Sequence, residues 1–224
     1  FHEWKRLNES EAGCIELPTM LRGICKKDNF LDLLENFILY DHSDGRTAKI
    51  MARNHQYLGV NQAAEMYKNR EYVNGKLGVF WHTQGSGKTA LSYHLTYMLN
   101  DYFAKQNKVA KFYFIVDRLD LLEQATQEFE ARGLVVSTAN SRAELMEQFR
   151  NNQAQQGVSG QAEITVVNIQ RFAEDKEKVR INDYATNLQR VFIMDEAHRG
   201  YKPGGCFLAN LFEADTDAIK IALT

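Results

Sequence analysis

Two rhythms of apolar residues alternate along most of the chain. Short continuous runs predict strands at 78–82, 111–117, 134–138, 163–168, 190–194 and 218–223. Between them, apolar residues three and four apart predict helices over 89–103, 119–131 and 141–150. A strand that is apolar at every position cannot leave one face in water. The pattern therefore predicts an α/β fold, a mostly parallel sheet covered by helices on both faces. Residues 153–160, rich in Gln, Gly and Ser, read as a polar loop. Sheets of this kind bind ligands at the carboxyl ends of their strands.

The first 46 residues keep a different rhythm. Leu17-Pro18-Thr19 can open a short helix, because Pro is tolerated in a first turn. Asp28-Asn29 offers capping side chains for a second helix, Phe30 to Leu39, with Phe30, Leu33, Leu34, Phe37 and Ile38 at helical spacing. Asp41-His42-Ser43-Asp44-Gly45 reads as a turn. The expectation is a short helical connector over 1–46 and a main domain over 47–224. That domain opens with a long helix, Thr47 to Asn69, which turns Ile50, Ala63, Ala64 and Met66 inward.

Composition narrows the class without naming a partner. With 224 residues, 44% of them hydrophobic, the chain can bury one sizeable core. The formal net charge is -2, so any DNA contact must come from a local surface; the same balance suits an enzyme with no polyanion partner. Cys14, Cys25 and Cys206 are odd in number and widely spaced, which predicts reduced thiols rather than a disulfide or zinc framework. No run approaches the ~18 apolar residues of a membrane span. The start, Phe1-His2-Glu3-Trp4, has neither Met nor the apolar stretch of a signal peptide and reads as the edge of a fragment.

Two motifs fall at predicted strand ends. His82-Thr83-Gln84-Gly85-Ser86-Gly87-Lys88-Thr89 lies between a strand and a helix, as a P-loop requires. Backbone N–H groups and a helix N-terminus hold a polyphosphate there, with Thr83, Gly85, Ser86 and Gly87 shaping the loop. Lys88 reaches the β- and γ-phosphates and Thr89 ligates Mg²⁺. His82 replaces the first Gly of the usual pattern. Far downstream, the apolar run Val191-Phe192-Ile193-Met194 ends in Asp195-Glu196-Ala197-His198. Asp195 is placed to hold the metal, and Glu196 to deprotonate an attacking water.

These segments resemble a superfamily-2 helicase motor of the DEAH type, and more narrowly the R subunit of type I restriction enzymes. Four carry the resemblance: His82–Thr89; Phe114-Ile115-Val116-Asp117-Arg118-Leu119-Asp120-Leu121; Asn168-Ile169-Gln170-Arg171-Phe172; and Asp195-Glu196-Ala197-His198-Arg199. Upstream, Ala52-Arg53-Asn54-His55-Gln56-Tyr57-Leu58-Gly59-Val60 is similar to the segment whose Gln pairs with adenine, which implies that role for Gln56. The resemblance implies a first RecA-like lobe that binds ATP and Mg²⁺, with Arg118, Gln170 and His198 contacting DNA or coupling the site to it. It also implies cytoplasmic translocation on double-stranded DNA beside methylation and specificity subunits. The family's nuclease domain would precede Phe1, and its second lobe would follow Thr224. A DEAH-class RNA helicase and a nucleotide-binding module without hydrolysis are the competing readings. Arg53, Gln56 and the 117–121 segment oppose the first, and intact Lys88, Thr89, Asp195 and Glu196 oppose the second.

Overall fold

The computed structural model describes residues 3–43, 45–69, 76–83, 85–150, 162–169, 188–197, 215 and 217–224. At its centre is a parallel six-stranded sheet. Its strands are β3 (Lys76–Phe80), β4 (Val109–Val116), β5 (Val135–Ala139), β6 (Glu163–Asn168), β7 (Leu188–Met194) and β8 (Ile219–Leu223), in the order β3-β8-β7-β4-β6-β5. The expected strands all form, with ends shifted by one or two residues. The expected polar loop at 153–160 lies outside the described residues.

Side chains alternate across the pleat and build two cores. Phe112, Phe114 and Val116 of β4 point to one face with Val191 and Ile193 of β7 and Ile219, Ile221 and Leu223 of β8. They meet Leu91, Leu95, Leu99 and Phe103 of α4 (Lys88–Ala104), and Leu122, Ala125 and Phe129 of α5 (Leu119–Ala131). Tyr113 and Ile115 point to the opposite face, with Phe192, and pack on Leu145 and Phe149 of α6 (Arg142–Arg150). Arg190 is buried at this end of β7. Its guanidinium pairs with Asp215 at 3.0 Å, donates to the Phe149 carbonyl at 2.8 Å and lies over the Phe149 ring. A buried charge pair survives where further hydrogen bonds offset its desolvation, as the Phe149 carbonyl does here for one N–H, although Arg190 Nε finds no acceptor among the described residues.

The N-terminal region adds a strand to the expected helical connector. Helix α1 (Leu17–Ile24) forms as expected, but α2 spans Lys27–Asn36. The chain then extends as β1 (Ile38–Asp41), antiparallel to β2 (Ala48–Met51), with Ile38 opposite Met51 and Tyr40 opposite Lys49. The expected Thr47–Asn69 helix therefore shortens to α3 (Asn54–Lys68), and Ile50 sits on an outer strand rather than inward. Cross-strand pairing supplied what helical spacing of the same apolar residues could not reveal. The hairpin spans the boundary expected at residues 46 and 47. Trp4, Leu33 and Phe37 also share the core that holds Leu91 and Phe112.

A strap, residues 3–6, closes this region. Trp4 is only 2% exposed and lies 5.3 Å from the Tyr57 ring, against Gly23 of α1. A methyl group at Gly23 would come within 1.9 Å of the indole nitrogen, so glycine is required by close approach. Asn54, the first residue of α3, accepts from the Lys5 and Arg6 amides and donates to the Arg6 carbonyl. Among the described residues, no helix is long and apolar enough to cross a membrane. Cys14 and Cys25 are free thiols on the surface.

Candidate nucleotide site

Strand β3 delivers the phosphate loop, and β8 fixes its departure. The Thr224 amide donates to Phe80 O at 3.0 Å, and the His82 amide donates to Thr224 O at 2.8 Å. Gly85 and Gly87 then take φ of +75° and +88°, left-handed values that glycine adopts without a Cβ penalty. Lys88 begins α4, whose first turn carries no acidic residue. The partial positive charge of that helix end is left for an anion.

Strand β7 delivers the carboxylates two strands away, with β8 between. The Asp195 amide donates to Ile115 O at 2.8 Å, which ties the strand tip to β4. Glu196 has φ of +47°, an uncommon value for a residue with a side chain, and its amide donates to Asp195 Oδ1 at 3.0 Å. Backbone strain of this kind gathers at functional sites. The turn brings Glu196 Oε1 to 3.0 Å from Lys88 Nζ, with both side chains largely shielded from solvent. Burial raises the Asp195 carboxyl above its ordinary value, against the Glu196 N–H and the Lys88 charge, which favour its ionised form.

A cleft of about 1220 Å³ joins these groups. Gly85, Gly87, Lys88, Thr89, Asp195, Glu196, Arg118 and Thr224 line it. A second cleft, about 560 Å³, is lined by Thr83, Ser86, His55, His82, Arg6 and Arg53. His82 packs edge-on against His55, their ring centres 4.9 Å apart. Burial first, then the His55 and Lys88 charges, push its imidazole down to about 4, so His82 is neutral near pH 7. The departure from the usual first Gly thus places an uncharged ring beside the loop. His55 is also held below its ordinary value by burial, and its Nε2 lies 3.1 Å from Ser86 O.

The sequence-predicted residues divide into three groups. Thr83 and Ser86 line the smaller cleft, and Gly85, Gly87, Lys88, Thr89, Asp195, Glu196 and Arg118 line the larger one. Gln170 and His198 lie outside the described residues. Gln56 sits beneath the loop, 4% exposed. Its Oε1 accepts from the Arg53 amide at 2.8 Å, and its Nε2 donates to Gly87 O at 3.0 Å. Sequence reasoning passed over Asn54 and His55, which join the strap and the loop to α3; no local pattern marks either one.

The donor set suits a magnesium–nucleotide pair. Mg²⁺ needs one or two protein oxygens and takes the rest from water and phosphate. A hydroxyl at Thr89, a carboxylate at Asp195 and a loop bearing two left-handed glycines meet that need. Residues 55–224 match the SWI2/SNF2 ATPase family. The chain is 31% identical over 208 residues to the type I restriction enzyme HindI endonuclease subunit of Haemophilus influenzae, covering 89% of this chain and 19% of that protein. It is 29% identical over 192 residues to the SauCOLORF180P endonuclease subunit of Staphylococcus aureus, covering 78% of this chain and 19% of that protein. The chain spans about a fifth of the length of these relatives. A parallel sheet with the phosphate loop and the carboxylates at its carboxyl edge is the RecA-like lobe of a helicase-type ATPase, and the chain belongs to the SWI2/SNF2 ATPase family.

Proposed function

We propose that this chain is the nucleotide-binding lobe of a motor that translocates on double-stranded DNA, within the endonuclease subunit of a type I restriction enzyme. The observation that carries the reading is the 3.0 Å contact between Lys88 and Glu196, which brings the loop cation and the general base to one point. The names of the relatives supply the restriction context. The loop amides and the α4 N-terminus bind the phosphates of ATP, and Lys88 moves from Glu196 to the β- and γ-oxygens. Glu196, released, accepts the proton of the attacking water on a carboxylate oxygen. Magnesium, when bound, neutralises charge on the phosphate oxygens; Thr89 and Asp195 hold it. Arg118, which lines the larger cleft, links the site to the DNA track together with Gln170 and His198. DNA cleavage belongs to a separate domain of the longer protein, and methylation and specificity subunits complete the cytoplasmic complex.

Hydrolysis in such motors is completed by an arginine from an opposing lobe, worth roughly 10³–10⁵ in rate. Residues 1–224 alone should therefore bind ATP–Mg²⁺ weakly and turn it over barely. The test is phosphate release by this chain and by a complete subunit assembled with its partner subunits, each with duplex DNA, with RNA and with neither. Stimulation by duplex DNA only in the complete assembly is expected. Stimulation by RNA instead, or full turnover by residues 1–224, would overturn the reading.

A further inference from the structure

The strap does more than close the N-terminal region. Its Lys5 and Arg6 line the cleft of about 560 Å³, together with Arg53, and with Thr83 and Ser86 of the loop. A cleft of this size suits a small organic ligand. Trp81 and His82 line both this cleft and the larger one, so the two adjoin. The larger cleft holds Gly85, Gly87, Lys88 and Thr89, which are proposed to take the phosphates of ATP. The nucleoside attached to those phosphates then has the smaller cleft beside it.

The strap is fixed firmly enough to serve as a wall. Buried Trp4 anchors one end. Asn54 Oδ1 accepts from the Lys5 and Arg6 amides at 3.2 and 3.1 Å, and the Lys5 carbonyl accepts from the Cys14 amide at 2.7 Å. Those bonds hold the backbone and leave the Arg6 side chain to a partly exposed pair, with Nη1 3.3 Å from Glu9 Oε2. An exposed pair contributes little, so the guanidinium can turn to a ligand at small cost. Its planar N–H donors suit the acceptor atoms of a purine edge or a ribose, and its flat face stacks on a base. The residues that match the family begin at 55, so the strap lies ahead of them.

We infer that Arg6 is a nucleoside-binding residue, through which the N-terminal strap completes the nucleotide site. The inference rests on the proposal that the loop binds ATP. It makes the strap a part of the site rather than a connector beside it.

The test measures dissociation constants for ATP and for inorganic triphosphate, each with Mg²⁺, on the full chain and on Arg6→Ala. ATP should weaken ~10-fold, the worth of one charge-assisted hydrogen bond, while triphosphate binding stays level. The melting temperature should also stay level, because Asn54 holds the Arg6 backbone and not its side chain. A readout on the unaltered protein needs no variant: the Arg6 Nε–H resonance should shift with ATP and stay still with triphosphate. Equal weakening of both ligands, no weakening of either, or a resonance that answers to triphosphate would each overturn the assignment. If the unaltered chain bound neither ligand, the nucleotide-site proposal would fall and take this inference with it, an outcome distinct from the others.

Discussion

Lys88 and Glu196 hold each other at 3.0 Å across the junction of loop and carboxylate turn. Each therefore neutralises the other until phosphate competes for the cation. Lys88→Ala should abolish ATP turnover in the complete enzyme and leave the fold intact, since the side chain sits at the loop rather than in the core. Phosphate release and a thermal melt, measured side by side, check both halves. Glu196→Gln keeps shape and hydrogen bonding but removes the base. Nucleotide binding should persist while hydrolysis falls by ~10²–10⁴. A collapse of affinity with normal residual turnover would take the base role away from Glu196. These residues were legible in the sequence because their signal is local, with Gly-Lys-Thr and Asp-Glu each following an apolar run. The contacts of Gln56 were not legible, because its partners Ser86 and Gly87 come from a distant part of the chain and only the folded loop brings them near.

Among the elements, the strap and α3 form one mechanical unit. Asn54 makes three hydrogen bonds to the strap backbone, and its neighbours His55 and Gln56 reach the phosphate loop. Asn54→Ala should cost roughly 1–3 kcal/mol, because it leaves two strap amides without their acceptor. The shift of a urea unfolding midpoint measures it. Gly23→Ala opposes two effects. Alanine favours a helix by up to ~1 kcal/mol, but its methyl would strike the buried Trp4 ring. Since the ring is buried and packed against Tyr57, the steric effect should win and the variant should melt lower. The sheet strands were legible because continuous apolar runs declare themselves in one dimension. The β1–β2 hairpin was not, since Ile38 and Ile50 fit helical spacing equally well until pairing across the hairpin decides between them.

Across the whole molecule, buried histidines set an acid limit. Burial pushes His94 and His82 down to about 4, against an ordinary value of 6.5. Between those values the unfolded chain takes up protons that the folded chain refuses. Stability should be level above pH 6.5 and fall as pH drops toward 4. Urea midpoints at several pH values would show it, and His94→Gln should flatten part of the slope. The position of β8 has a further consequence, for the order in which the molecule is made. Strand β3 finds its sheet neighbour in β8, which the ribosome delivers after the other described strands of this sheet. Until then the phosphate loop has no fixed departure, because His82 and Phe80 bond to Thr224. Pairing across so long a separation closes late. Nucleotide affinity should therefore arise only once β8 has emerged, so that a nascent chain cannot capture ATP before β3 has its neighbour.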